Sequence, residues 1–166
     1  MKYLVFFFMM ISGYGFSYES PYILSEDEHC MATNIYHESR SENLAGKYAV
    51  ADVVLNRVND ARYPGTICEV IYQGKHKPSW KDPNVLVPIR NQCQFSWYCD
   101  GLSDIPTEED AWYDSVFVAV QIIKFNKYRG LTEGATHYHT TWVNPHWAST
   151  LQQVGHIGSH VFYRAE

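Results

Sequence analysis

The chain has 166 residues, 46% of them hydrophobic and 16% aromatic, and a net charge of −5 at pH 7. That length holds one domain with a substantial core and leaves no room for two large ones. No cluster of Lys or Arg stands out, so a phosphate-neutralising surface is not expected, and nucleic acid is not an expected partner.

The first residues, "MKYLVFFFMMISGYGFS", place Lys2 before an apolar run from Leu4 to Ile11, with Gly13, Gly15 and Ser17 after it. This pattern predicts a secretory signal over residues 1–17, cleaved after Ser17, and a mature domain over 18–166. The run is shorter than the about 20 apolar residues that a span needs, so the mature form should carry no stable membrane span. The protein is then exported, periplasmic or extracellular, with an uncleaved N-terminal anchor as the alternative. Cleavage removes Lys2 and no acid, moving the net charge from −5 to −6.

Residues 18–24 read as an extended lead. "SEDE" then predicts a helix with Ser25 as N-cap and Glu28 closing a capping box. Met31, Ala32, Ile35 and Tyr36 form its apolar stripe. At about 100° per residue, Glu38 returns nearly to the direction of Met31, which points a carboxylate inward or at the rim of a cleft. A broadly apolar core helix is expected from Leu44 to Val58, and a short one opens at the "TICE" capping signal and runs from Thr66 to Tyr72. From Gly74 to Pro88 the pattern dissolves into Lys, His, Pro and Asn and reads as a surface loop. "NQCQFSWYCDG" reads as a short extended piece closed by a turn at Asp100-Gly101. The clearest helix runs from Thr107 to Tyr128, with Gly130 as its stop and Trp112, Val116, Ala119, Val120 and Ile123 as its buried face. Extended pieces are expected near 135–139 and 159–163. The fold class is a mostly helical α+β single domain.

Cys30, Cys68, Cys93 and Cys99 make an even count in an exported chain, which favours two disulfides in one of three pairings. A four-cysteine zinc site is the alternative, but its ligands usually come in closer pairs than these.

Glu38 is the leading chemical candidate. A carboxyl on an apolar face loses hydration in its charged form, so it stays protonated to higher pH and can act as a general acid on a glycosidic oxygen. The plainer reading is a Glu on a fraying last turn, paired with Arg40 or Arg57. His37 does not begin a zinc-protease motif, because position 41 is Ser where a second His is needed. His137, His139, His146, His156 and His160 crowd the C-terminal segment, and three of them converging on zinc would suit a peptidoglycan amidase. Histidines in an aromatic-rich tail more often pack or donate hydrogen bonds, so no metal and no cofactor are expected. Phe95, Trp97, Tyr98, Tyr138, Trp142 and Trp147 offer flat faces that suit sugar rings, although any one of them can equally fill the core of a small domain.

The ordered blocks "NIYHESRSENLAGKYAVADVVLNRV", "YPGTICEVIYQ", "CQFSWYCDG", "ATHYH" and "GSHVFYR" resemble the SleB-type cell wall hydrolases, over roughly residues 28–164. The resemblance implies a fold similar to lysozyme and lytic transglycosylases, and cleavage of the glycan strand of peptidoglycan. It also implies Glu38 as the catalytic glutamate, at the position that matches the family's at the end of the first helix. Ser39 departs from the Ala that many members carry. By the same resemblance, Gln94, Phe95 and Ser96 line the sugar cleft opposite Glu38, and Tyr138 and His139 form a second wall. Asn56 and Arg57 match "LNR" and read as structural.

Glycosidases normally set a second Asp or Glu across the bond. None of Asp52, Glu69 and Asp100 announces itself as that partner, so the one-carboxylate route of a lytic transglycosylase is preferred to hydrolysis by a muramidase. A zinc-dependent amidase and a non-catalytic peptidoglycan-binding module are the other readings. Peptidoglycan is the expected partner, and nothing in the sequence demands more than a monomer.

Overall fold

Ser25 opens the first helix as the sequence predicts. Its side chain accepts from the Glu28 amide while the Glu28 carboxylate accepts from the Ser25 amide, closing a capping box at the start of α1 (Glu26–Ser39). Glu26, Asp27 and Glu28 lie in the first turn, where the helix dipole favours negative charge. The computed structural model describes residues 22–165, so the expected signal segment lies outside the described residues.

Asn43 caps α2 (Leu44–Val58) at the predicted bounds, accepting from the Gly46 amide. This helix is apolar around most of its circumference because it is covered on two sides. Ala51 and Val54 join the main core with Met31, Ile35, Val70, Trp97 and Ile122. Ala49 and Val53 join a second cluster with Ala135 and Phe162. A helix that is hydrophobic all round belongs in the middle of a domain, and α2 is that middle.

Thr66 caps the short α3 (Ile67–Ile71) by accepting from the Glu69 amide, while its hydroxyl donates to the Glu69 carboxylate. Cys30 and Cys68 form a disulfide across 38 residues of sequence, tying α1 to α3.

The segment read as a loop from Gly74 to Pro88 is instead most of a hairpin. Strand β1 (Gly74–Pro78) pairs antiparallel with β2 (Leu86–Cys93). This hairpin lies largely exposed and buries no face in the core, so the alternation that normally betrays a strand is missing. Gly74 is required there, since a Cβ would stand 2.8 Å from the Cys93 sulfur. A 3-10 helix, η1 (Ser96–Cys99), follows β2, and the Cys93–Cys99 disulfide joins the end of β2 to the end of η1. The predicted turn at Asp100-Gly101 is present, with Gly101 at φ 85°.

Helix α4 (Glu109–Phe125) is shorter at both ends than expected. At its start the Thr107 and Glu108 amides both donate to the Tyr36 hydroxyl of α1 at 3.1 Å, so those donors are satisfied across helices rather than within one. At its end Asn126 adopts the left-handed conformation, φ 52°, and stops the helix before Gly130. The buried face is also rotated by about a residue from the expected one: Ser115, Val118, Ala119 and Ile122 are buried, and of the predicted set only Ala119 is fully so. Trp112, Val116 and Ile123 pack at the edge of the core. The helix faces both α1 and α2, which broadens its inner stripe beyond the five positions that periodicity selects.

The two predicted extended pieces are β3 (His137–Thr140) and β5 (His160–Arg164), paired antiparallel. A strand the sequence did not reveal, β4 (Gln152–Ile157), pairs with the other side of β5, giving the order β3-β5-β4. The short η2 (His146–Thr150) precedes it. Asp52 on α2 ties helices to sheet. Its buried carboxylate accepts from Arg129, the Gly130 amide and the Thr132 amide and hydroxyl. Its role is structural.

The disulfides differ in the chain they close, 38 residues of separation against 6. By loop-closure entropy, replacing Cys30 and Cys68 with Ser should cost about 4 kcal/mol, and replacing Cys93 and Cys99 about 2 kcal/mol. Urea unfolding of the two double variants checks this, and an inverted order would refute the assignment of their roles.

Candidate active site

Glu38 sits in the last turn of α1, directed by the same stripe that buries Met31 and Ile35. It lies at the junction of two clefts. One, of about 140 Å³, is lined by Glu38, Arg57, Gln94, Phe95, Ser96 and Tyr138. The other, of about 390 Å³, runs past Tyr36, His37, Ser96, Trp97 and the 100–107 segment. Larger surface hollows exist elsewhere. The apolar groove of about 490 Å³ between α2 and α4 carries no carboxylate. The acids of the open trough beside Lys47, about 570 Å³, are exposed on the surface. Among the described carboxyls that line these four hollows, that of Glu38 is the most enclosed.

Three neighbours set its chemistry. Glu38 as a residue keeps some exposure at the cleft, but protein surrounds most of its carboxyl, and this burial pushes its ionisation above the ordinary 4.5. The Tyr138 hydroxyl donates to its Oε2 at 2.9 Å and pulls the other way, as does the charge of Arg57. The upward push prevails. Tyr138 is itself enclosed, so burial and the facing Glu38 hold its ionisation well above the ordinary 10.0, and it remains a donor.

The walls are built by local locks. Cys93 and Cys99 bracket residues 94–98, and Trp97 donates from Nε1 to Asn34 Oδ1 at 3.0 Å while stacking on His37 at 4.6 Å. This fixes η1 against α1. Gln94 and Ser96 are exposed in the cleft, and Phe95 between them is buried with its ring beneath Arg57. On the far side β3 presents Tyr138, held by contacts with Phe162 and His160.

The structure thus brings Gln94, Phe95, Ser96 and Tyr138 to Glu38, while His139 lies elsewhere. Side chains alternate across a strand, so the neighbour of Tyr138 faces the other side of β3. His139 packs there against Tyr163 and Trp147 and shares a 2.9 Å hydrogen bond with the Tyr163 hydroxyl. Arg57, read from the sequence as structural, lines the Glu38 cleft as well as donating from Nε to the Thr136 carbonyl at 2.8 Å. Asn56 is structural, bonding Thr132 and the Ala135 carbonyl. The C-terminal histidines stand apart, and among the described residues no three His, Cys, Asp or Glu side chains gather as a metal site would need.

This arrangement can deliver a proton from an enclosed carboxylic acid and take one back. It also carries a stability signature. A carboxyl whose folded-state ionisation is raised stabilises fully below its unfolded value near 4.5, and that contribution is lost as pH rises through the folded value. Gln does not titrate. Glu38→Gln should therefore match the parent protein at pH 4 and melt at a higher temperature at pH 8. A lower melting temperature for the variant at pH 8 would contradict the environment described.

Comparisons with known proteins bear on the family and the fold. A family model described as Cell Wall Hydrolase matches residues 41–163, beginning just after Glu38. A spore cortex-lytic enzyme of Bacillus cereus is 47% identical over 47 residues, 28% of this chain and 18% of that protein. One of Oceanobacillus iheyensis is 38% identical over 64 residues, 35% of this chain and 23% of that protein. The matches thus span less than a quarter of the length of these curated relatives. Among solved structures, the catalytic domain of the germination-specific lytic transglycosylase SleB from Bacillus anthracis superposes with a TM-score of 0.59 at 27% identity, covering 87% of this chain and 100% of that one. The catalytic domain of the Bacillus cereus SleB protein gives 0.58 at 26% identity, covering 92% and 100%. With the family match extending over most of its length and the catalytic-domain fold shared, the chain belongs to the cell wall hydrolase family.

Proposed function

We propose that this protein cleaves the glycan strand of peptidoglycan between N-acetylmuramic acid and N-acetylglucosamine, as a lytic transglycosylase. The observation that carries this reading is Glu38: one enclosed carboxyl at the junction of two clefts, whose ionisation is shifted by burial, Tyr138 and Arg57 and by no second carboxylate. A single group of this kind suits a reaction that needs an acid first and a base second.

In the first half, protonated Glu38 gives its proton to the oxygen joining muramic acid C1 to the next sugar, and the C1–O bond breaks. In the second half, the Glu38 carboxylate takes the proton of the C6 hydroxyl of the same muramic acid, and O6 bonds to C1. The carboxylic acid is restored, no water is consumed, and the product ends in a 1,6-anhydromuramoyl group. Gln94 and Ser96 offer amide and hydroxyl groups to sugar hydroxyls and N-acetyl groups, and the exposed 100–107 segment borders the wider cleft. Substrate contact by His139, on the other face of β3, would require a strand long enough to pass over the sheet edge.

Export to the cell wall follows from the same reading, since the substrate lies outside the cytoplasmic membrane. The apolar N-terminal run supports it, and among the described residues no helix is long and apolar enough to cross a membrane.

Digestion of purified peptidoglycan by the protein should release muropeptides one water lighter than hydrolysed ones, read by mass spectrometry. Glu38→Gln should lower the rate by about two to four orders of magnitude. Reducing-end muropeptides that vanish with the variant would replace the transglycosylase by a muramidase. Amino-sugar strands freed of peptide, with activity lost to a chelator, would point to an amidase. Wall binding without any release of products would leave a binding module.

A further inference from the structure

Arg57 is buried, 5% exposed, in the last turn of α2. A buried cation is retained at a desolvation cost of several kcal/mol unless an anion or full hydrogen bonding offsets it. Here the compensation is incomplete. Nε donates to the Thr136 carbonyl at 2.8 Å, and the guanidinium lies over the rings of Phe95 at 5.1 Å and Tyr63 at 5.4 Å. Its Nη1 is buried with no hydrogen-bond partner. Among the described residues it forms no ion pair with any carboxylate. The carboxyl with which it interacts electrostatically is Glu38, across the small cleft that both line.

The spacing is the informative part. Direct contact would make Glu38 a permanent carboxylate and abolish its use as an acid. Absence of any cation would leave the carboxylate, once formed, stranded in a low-dielectric site. Thr136, Phe95 and Tyr63 hold the guanidinium between these extremes. Resting on the reading of Glu38 as acid and then base, we propose that Arg57 is a positioning residue for the second half of the reaction: its fixed charge stabilises the carboxylate that Glu38 becomes between giving up one proton and taking the next.

The other groups around Glu38 do not duplicate this charge. Tyr138 on β3 supplies a neutral donor. On α1 itself, His37 is turned to the Asp104 carbonyl and Arg40 to Glu108. Asp100 and Asp104, which line the wider cleft, bear the opposite sign.

The test compares Arg57→Met, Arg57→Gln and Arg57→Lys with the parent protein, each checked for folding by thermal melting. The first readout is the pH dependence of kcat/KM on peptidoglycan. Loss of the Glu38 proton sets its alkaline limb, and removing a nearby positive charge moves that limb to higher pH. About one unit is expected for Met and Gln, with Lys returning most of the way. The second is an NMR titration of the Glu38 side-chain carboxyl in protein carrying 13C-labelled glutamate, assigned by its absence in Glu38→Gln. It should show the same upward displacement. This readout needs no turnover, so it tests the Arg57–Glu38 coupling even if the digests disprove glycan cleavage. A uniform fall in rate at every pH, with limb and titration unmoved in the neutral variants, would make Arg57 a packing residue and overturn the proposal. Should Met fail to fold, the Gln and Lys pair decides it on the same two readouts.

Discussion

The structure turns on one unfavourable act, the enclosure of the Glu38 carboxyl. A charged carboxylate loses hydration when protein surrounds it, and its protonated form gains in proportion. Everything that makes the group useful comes from limiting that loss without reversing it. Tyr138 contributes a hydrogen bond at 2.9 Å from the sheet side, and Arg57 contributes charge at a distance from the helix side. Each is fixed by contacts that have nothing to do with Glu38. Phe162 and His160 hold the tyrosine, while Thr136, Phe95 and Tyr63 hold the arginine.

Those supports come from distant parts of the chain, which explains the layout of the domain. Helix α2 is buried on both sides by the two apolar clusters, and so carries Arg57 between the helical core and the sheet. The Asp52 network then ties the same helix to the turn that leads into β3, setting where Tyr138 emerges. On the opposite wall, the Cys93–Cys99 bridge and the Trp97–Asn34 bond keep residues 94–96 across from the glutamate. Preorganised polar groups of this kind need no rearrangement at the moment of proton transfer. The cleft is a product of long-range packing, whereas the Glu38 carboxyl is placed by the periodicity of one helix.

That division explains which readings held. Helices α1 and α2 were legible because caps and apolar stripes are local, and Ser25, Glu28 and the Glu38 direction all follow from them. The β1–β2 hairpin was not, since it buries no face and leaves no alternation to read. The inner face of α4 was misread by about a residue because two neighbouring helices, rather than one, decide which side is covered. His139 was expected beside Tyr138, but the period of two in a strand sends adjacent side chains to opposite faces.

By itself the sequence determined the placing of a carboxylate on an apolar helical stripe, the even cysteine count, and the ordered blocks that announce a cell wall hydrolase. Those are properties of short stretches, governed by hydrogen bonds and periodicities within a few residues. Only the tertiary structure decided that Cys30 pairs with Cys68 and Cys93 with Cys99, and that Arg57 turns inward to face Glu38. It also decided which of two adjacent residues, Tyr138 or His139, meets the carboxyl. In each case several local arrangements are equally good, and the choice falls to the packing of segments far apart in the chain, whose distances no local pattern encodes.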